Sequence, residues 1–224
     1  MTKMHFVSAH FGGSKPWDFE VKSNSVEITT AYYSDSNTPS RHLSMHPRLK
    51  SKIPKMLEWR FIESDWYVWI DSSLKLKDTF PDIAAHILKV AGNNPLVIFP
   101  HSAGSSIREE AQRVLLSMEN EHEYLIRRYS GEPILEQLIH YYGDPDFVDN
   151  QLFATGFFAY HRSAAPLLQE WFNHTATWSL QCQISFPYVL QKSDLGFSLF
   201  EGIINGDNPY VTWHWQEREK NLYR

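Results

Sequence analysis

The chain has 224 residues, of which 42% are hydrophobic and 15% aromatic, and its formal net charge is −5. This length and apolar content fit one large α/β domain. The net charge is acidic and the sequence has no basic stripe, so charge does not indicate a nucleic-acid-binding protein. Cys182 is the single cysteine, which excludes an intramolecular disulfide. Because no apolar run is long enough to span a membrane and no signal peptide stands at the N-terminus, we expect a cytoplasmic protein without stable membrane insertion.

Strands and helices alternate along the chain, which predicts an open, mostly parallel α/β sheet flanked by helices in a single domain over 1–224. Aromatic and β-branched runs predict strands at 3–9, 26–34, 66–70, 95–99 and 152–160. Apolar residues at helical spacing predict helices at 48–61, 81–90, 107–120, 132–142, 163–173 and 180–191. The tail from residue 197 has no clear period and is predicted to be irregular.

Several helix ends follow from individual residues. Asp78 or Thr79 is the predicted N-cap of the helix at 81–90, and Ser105 or Ser106 is that of the helix at 107–120. The helical pattern from residue 107 also allows a continuation as far as Arg128. Pro54 predicts a kink in the helix at 48–61.

Residues 66–76, WYVWIDSSLKL, are the most informative stretch. An apolar run ends abruptly at Asp71, so we predict a buried strand that delivers a carboxylate to the sheet edge, then a turn and a return strand. Ligands bind at this edge in open α/β sheets, and carboxylates hold the divalent cation of a nucleotide diphosphate. Asp71 is therefore the preferred metal ligand, with Ser73 reaching the same ion directly or through water. The alternative is that Asp71 only caps the turn.

Four segments, spanning most of the chain in order, carry a family likeness: HFVSAHFGGSKPW, AYYSDSN followed by RLKSKIPKML, WYVWIDSSLKL, and WFNHTATWSLQCQISFPYVLQK. Together they resemble nucleotide-sugar glycosyltransferases of the GT-A type. Within that type they resemble the uncharacterised-domain family of plant mucilage-related glycosyltransferase-like proteins, which has bacterial and viral members. Ser73 departs from the Asp-x-Asp of GT-A enzymes, and Cys182 stands where the family usually has Asp. The segment PHSAGSSIREEA resembles a His-Pro-x-Arg … Glu-Glu-Ala stretch of the family, but Ser102 and Gly104 replace its Pro and Arg.

The resemblance implies a GT-A-like (Rossmann-like) domain, with residues 1–100 as the nucleotide-binding half and 101–224 as the donor-sugar and acceptor half. It implies transfer of a sugar from a nucleotide-sugar donor, expected to be UDP-linked, to a hydroxyl acceptor. The acceptor is left open between a glycan, a lipid-linked sugar, a protein and a modified DNA base. The implied cofactor is Mn²⁺ or Mg²⁺, with His214 as a further ligand. If a virus encodes the chain, the expected location is the host cytoplasm.

The resemblance also implies roles for residues outside the central strand. The predicted nucleotide-binding residues are Ser8, Gly12, Asp35, Lys52 and Lys55. Asp35 is equally well explained as a turn residue, and either lysine as a solvated surface residue. The predicted catalytic residues are Gln183, beside the donor sugar, and Asp149, as general base on the acceptor of an inverting enzyme. Asp146, Glu109 and His101 are alternative bases, and a retaining enzyme can lack one.

Two other classes of function stay open. The departures at Ser73 and Cys182 allow a nucleotide-sugar binding module with impaired catalysis. A metal-dependent phosphoesterase using Asp71 is the other alternative, although no second carboxylate-rich motif accompanies it. Cys182 has no recognisable partner that would stabilise a thiolate, so it is predicted to be a small buried residue and not a nucleophile.

Overall fold

The structure is a computed structural model and describes residues 1–12, 20–38, 46–102 and 104–213. The strands in these residues are β1 (Lys3–His10), β2 (Glu27–Ser34), β3 (Trp66–Ile70), β4 (Leu74–Leu76), β5 (Leu96–Pro100), β6 (Phe153–His161), β7 (Ser198–Leu199) and β8 (Val211–Trp213). The α-helices in them are α1 (Pro47–Leu57), α2 (Ile83–Ala91), α3 (Ile107–Glu119), α4 (Glu123–Tyr129), α5 (Ile134–Tyr142), α6 (Ala165–Thr177) and α7 (Cys182–Lys192).

Six of the described strands form the central sheet, in the order β2-β1-β3-β6-β5-β7. β1 pairs in parallel with both β2 and β3, and β5 pairs in parallel with β7. Only β6 runs in the opposite direction, antiparallel to both β3 and β5. The described strands and helices confirm the predicted open, mostly parallel α/β sheet flanked by helices. The division into two functional halves at residue 100 stays a prediction.

The segments after Asp71 and after residue 197 differ from expectation. The predicted return strand exists as β4, but it pairs with β8 in a separate two-stranded sheet and not with β3. The tail is not wholly irregular, because it contributes β7 to the central sheet and β8 to the small one. Strands of two or three residues are too short to show the alternation that reveals a strand in the sequence.

Two predicted helix boundaries also change. Asp82, and neither Asp78 nor Thr79, is the N-cap of α2, and its carboxylate accepts from the N–H of Ala85 at 2.9 Å. Ser106, one of the two predicted caps, is the N-cap of α3. That helix ends at Glu119, and α4 is a separate helix.

The break between α3 and α4 has a backbone cause. Glu121 has a φ of 59°, in the left-handed region, where a right-handed helix cannot continue. The alternative of one helix running on to Arg128 is therefore wrong. Helix α1 contains Pro54 in its interior, and a 3-10 turn over Glu58–Arg60 follows the helix.

Side chains alternate between the two faces of the sheet, and a hydrophobic cluster packs on each face. Phe6 and Val68 pack on the face covered by α2. Val7, Tyr67 and Trp69 pack on the opposite face, together with α1, α6 and α7. Burying an aliphatic or phenylalanine side chain such as Phe6, Val7 or Val68 contributes about 1.5–3 kcal/mol. A third cluster joins α3, α4, α5 and α7. In the described part of the chain, no helix combines the length and apolarity needed to cross a membrane.

Candidate active site

Asp71 lies directly after β3, at the carboxyl edge of the sheet. Its backbone N–H donates to the carbonyl of Gly156 on β6 at 2.7 Å, and its carbonyl accepts from the N–H of Leu74 at 2.8 Å. Its Oδ1 accepts from the indole Nε1–H of Trp69 at 2.7 Å. The Asp71 side chain is 37% exposed. The carboxylate is therefore held in place by the strand end and remains accessible to a ligand.

Lys52 and Lys55, one turn apart on α1, are buried at 6% and 3% exposure. The interpretation of either as a solvated surface lysine is wrong, because α1 turns them toward β6 and α7. The Nζ of Lys55 lies 3.9 Å from Asp71 Oδ1 and donates to Thr155 Oγ1 at 3.2 Å. The Nζ of Lys52 donates to the sulfur of Cys182 at 3.0 Å.

Aromatic rings surround the Lys55 ammonium. Its Nζ lies 5.6 Å from the ring centroids of both Trp69 and Trp171, and 6.0 Å from that of Phe158. The negative faces of such rings attract a cation and offset part of the loss of its hydration. The rings also keep water away, which strengthens the interaction of this ammonium with any anion that reaches it.

Cys182, at the start of α7, completes a chain of polar contacts. Its sulfur lies 3.0 Å from Lys52 Nζ and 3.6 Å from Thr155 Oγ1. Burial raises the pKa of Cys182, but the nearby ammonium groups of Lys52 and Lys55 outweigh it and bring the pKa to about 7. No thiolate-stabilising partner of Cys182 is recognisable in the sequence, and in the structure Lys52 is one. We call Lys52, Cys182, Thr155, Lys55 and Asp71 the cation network.

A third cation, Arg128 of α4, belongs to the same surroundings. Burial lowers its pKa, while Tyr129, Tyr124 and Asp71 act in the opposite direction and the pKa is raised. Its positive charge in turn contributes to the lowered pKa of Lys52, for which burial is the main cause. The Nε of Arg128 is buried without a hydrogen-bond acceptor among the described residues. Three cations, Lys52, Lys55 and Arg128, therefore share one electrostatic environment.

A second polar group lies where β1 and β2 end. The N–H of Gly12 donates to Asp35 Oδ2 at 2.7 Å, and Lys50 Nζ donates to Asp35 Oδ1 at 3.0 Å. The Gly12 bond first, and then the Lys50 bond, hold the pKa of Asp35 below its usual value. Gly12 has a φ of 82°, which favours glycine there. The structure therefore brings Gly12 and Asp35 together and adds Lys50, which sequence reasoning missed.

Serine residues lie at different depths around this edge. Ser72, in the turn after β3, places its Oγ 3.0 Å from His10 Nδ1 and so links that turn to the end of β1. Ser73 follows it, partly exposed. Ser8 is 2% exposed within β1 and, by alternation, lies on the sheet face opposite to α1. The nucleotide role of Ser8 and the metal role of Ser73 stay predictions.

Asp149 caps α3 from outside the helix. Its Oδ1 accepts from the N–H of Ile107 at 2.7 Å, and its Oδ2 accepts from the N–H of Arg108 at 3.2 Å and from the hydroxyl of Tyr142. Both oxygens are thus already hydrogen-bonded in the described structure. An acceptor hydroxyl would have to compete with these donors, and the role of Asp149 as base stays a prediction.

Gln183, in the first turn of α7, contacts a buried carboxylate that sequence reasoning missed. Its Nε2 donates to Glu110 Oε1 at 3.2 Å, and Glu110 is 1% exposed. Glu110 also accepts two hydrogen bonds from Arg113 and one from Gln181, and its Oε2 lies 4.0 Å from Nε2 of His101. The helical period of Ile107, Ala111 and Val114, all buried, puts Glu110 on the inner face of α3 and could have identified it.

The metal prediction depends on Asp71, because His214 lies outside the described residues. No donor from the described residues contacts Asp71 Oδ2, and a Cβ at Gly156 would lie 3.2 Å from that oxygen. In the described part of the chain, no group of three or more His, Cys, Asp or Glu side chains is placed so that it could hold a metal ion. Mg²⁺ commonly binds through one or two carboxylates and completes its shell with water and substrate phosphates. Asp71 fits an ion that completes its shell with water and a diphosphate.

A cavity of about 290 Å³ opens at the other edge of the sheet. Its lining includes Trp66 and Pro95, close to the starts of β3 and β5, and His161 at the end of β6. None of its lining residues belongs to the cation network. We therefore place the candidate site at the carboxyl edge, where the charged groups converge.

Residues 40–203 match the family model of the TOD1/MUCI70 glycosyltransferase-like domain. The chain belongs to this family. The membership confirms the predicted GT-A-type glycosyltransferase relationship. The family's matched range contains the whole cation network, whereas β1 and β2, with Gly12 and Asp35, precede it.

One solved structure similar to this chain is a glycosyltransferase involved in the glycosylation of the major capsid of PBCV-1. It is 10% identical, with a TM-score of 0.44, over 88% of this chain and 80% of that chain. None of the curated proteins matches the chain.

Proposed function

We propose that the protein transfers a sugar from a nucleotide-sugar donor to a hydroxyl acceptor, with Mn²⁺ or Mg²⁺ bound at Asp71 and a UDP sugar as donor. The observation that carries the proposal is the surplus of buried positive charge at the carboxyl edge of the sheet. Lys52 and Lys55 are buried and Arg128 is partly buried, and among the described residues these three cations outnumber the nearby carboxylates of Asp71 and Glu110, of which Glu110 already pairs with Arg113. Buried charges without partners are costly, so this arrangement favours binding of a multivalent anion such as a diphosphate.

The chemistry of glycosyl transfer needs such a site. As the bond between the anomeric carbon and the diphosphate oxygen breaks, negative charge develops on the leaving diphosphate. Ammonium groups fixed in a water-poor environment stabilise that charge without having to reorganise. A divalent cation supplies further positive charge at the same oxygens. Lys55, fixed by Thr155 and by three aromatic rings, is the residue best prepared for this role.

The remaining roles follow from position. The group of Gly12, Asp35 and Lys50 lies at the ends of β1 and β2 and is proposed to contact the nucleoside. Gln183 is proposed to contact the donor sugar. The acceptor oxygen forms the new bond to the anomeric carbon, and its proton passes to a base, for which Asp149 is the proposed residue in an inverting reaction.

The test compares Asp71→Asn with Asp78→Asn, which changes an exposed aspartate in the same way. We expect wild type and the Asp78 variant to bind UDP more tightly with Mn²⁺ and to hydrolyse a UDP sugar slowly. We expect Asp71→Asn to lose the metal-dependent part of binding and about 10²–10³-fold of the hydrolysis rate. The measurements are calorimetric titration with UDP and release of free sugar.

The outcomes separate the candidate functions. UDP binding without any sugar release or transfer would favour a binding module over an enzyme. Release of phosphate from simple aryl phosphates would favour a phosphoesterase. If wild type binds neither UDP nor any other nucleotide in a panel of nucleotides and nucleotide sugars, the proposed function is wrong.

A further inference from the structure

Lys52 has one hydrogen-bond acceptor among the described residues, the sulfur of Cys182 at 3.0 Å. The two residues are only 6% and 3% exposed, so water contributes little to either. A buried ammonium without an acceptor is costly, and an ionised acceptor binds it more strongly than a neutral one. The Cys182 sulfur is therefore placed to act as the counter-ion of Lys52.

Other charged and titratable groups surround this pair from several elements. They are Lys55 on α1, Arg128 and Tyr129 on α4, Glu110 on α3, and Asp71 after β3. The Glu110 carboxylate accepts hydrogen bonds from Arg113, Gln181 and Gln183. The Asp71 carboxylate accepts one from Trp69. Neither carboxylate hydrogen-bonds Lys52. Around the sulfur the cations are in excess, which favours an anion at this position.

We propose that, before the donor binds, the Cys182 thiolate is the anionic partner of Lys52. When the donor's diphosphate binds and becomes that partner, Cys182 takes up a proton and becomes a neutral thiol. The inference rests on the proposed function, because it requires that the diphosphate binds beside Lys52 and Lys55. A bound diphosphate offers Lys52 new oxygen acceptors, and its charge disfavours a second anion nearby. An S–H bond forms with a proton from solvent, and no electrons are transferred. Cys182 is thus a positioning residue that acts through Lys52.

The pH dependence follows from the sign of this coupling. The thiolate is present above pH 7, because the pKa of Cys182 is about 7. Binding then requires uptake of a proton, so UDP affinity falls by up to about tenfold per pH unit above that pKa. Below it the thiol is already neutral, and this contribution is absent.

The first experiment uses the wild-type protein and inorganic pyrophosphate, which does not absorb in the far ultraviolet. Cys182 is the only cysteine, so the thiolate absorbance band reports on it alone. At about pH 8 we expect a thiolate band that disappears as pyrophosphate saturates the site. Cys182→Ser supplies the blank. A band that persists at saturation, or the absence of a band before addition, would overturn the inference.

The second experiment measures proton uptake by titrating UDP into protein in two buffers with different ionisation enthalpies. We expect wild type to take up as much as about one proton per UDP at about pH 8. Cys182→Asp, whose carboxylate stays ionised at this pH, should take up none. Equal uptake by both proteins would overturn the inference and leave the proposed function standing. Failure of wild type to bind UDP at all would overturn both.

Discussion

Two buried polar clusters lie beside α1, and they differ in how their charges balance. In the first, Glu58 Oε1 accepts from the hydroxyl of Tyr33 at 2.9 Å and lies 3.0 Å from Nε2 of His5, whose Nδ1 lies 2.7 Å from Thr29 Oγ1. One acid meets one base, and both are at most 2% exposed. In the second, the cation network, the ammonium groups of Lys52 and Lys55 face the carboxylate of Asp71 and the thiol of Cys182, and the guanidinium of Arg128 lies nearby. The balanced cluster suits a structural role, while the unbalanced one suits a ligand.

The largest expected effect breaks the balanced cluster. Glu58→Ala removes the partner of a buried histidine, and we expect it to lower the free energy of unfolding by about 3–5 kcal/mol. Glu63→Ala, at an exposed position in the same segment, should change it by less than about 0.5 kcal/mol. Urea unfolding followed by circular dichroism measures both. A fully folded Glu58 variant should bind UDP like wild type, and loss of binding there would contradict the distinction between the clusters.

A smaller effect, on binding, is expected in the cation network. Lys55→Met removes a buried ammonium with little change in shape, and we expect UDP affinity to fall about 10- to 100-fold. Stability should stay the same or rise, because the variant no longer buries this charge. Lys89→Met, an exposed lysine on α2, is the matched control. A loss of stability with unchanged UDP affinity would move Lys55 to the structural class.

The architecture could be predicted well from the sequence, because long apolar runs show their period. The strand before Asp71 is an example: five aromatic and branched residues in succession can only be a buried segment, and its end places the carboxylate. The same pattern says nothing about partners. β4 pairs with β8, more than 130 positions away, which local sequence cannot reveal.

The position of Asp71 at the site could be predicted from the sequence, but the contacts of Lys52, Lys55 and Cys182 could not. Whether Lys52 and Lys55 face water or the core depends on how α1 packs on β6 and α7. Lys52, the partner of Cys182, lies on α1, 130 positions away in the sequence. Lys50 shows the same limit, since its contact with Asp35 depends on where α1 meets the end of β2. Glu110 is different: it was not among the predicted site residues, although the period of the buried residues on α3 indicates an inward-facing position.

The central claim is that a nucleotide diphosphate binds against the cation network, and a crystal soaked with UDP and Mn²⁺ tests it most directly. We expect phosphate oxygens within hydrogen-bonding distance of the Nζ atoms of Lys52 and Lys55, and a metal ion on Asp71. A nucleotide bound elsewhere, for example in the cavity beside Trp66 and His161, with the two lysines still on Cys182 and Thr155, would contradict the account.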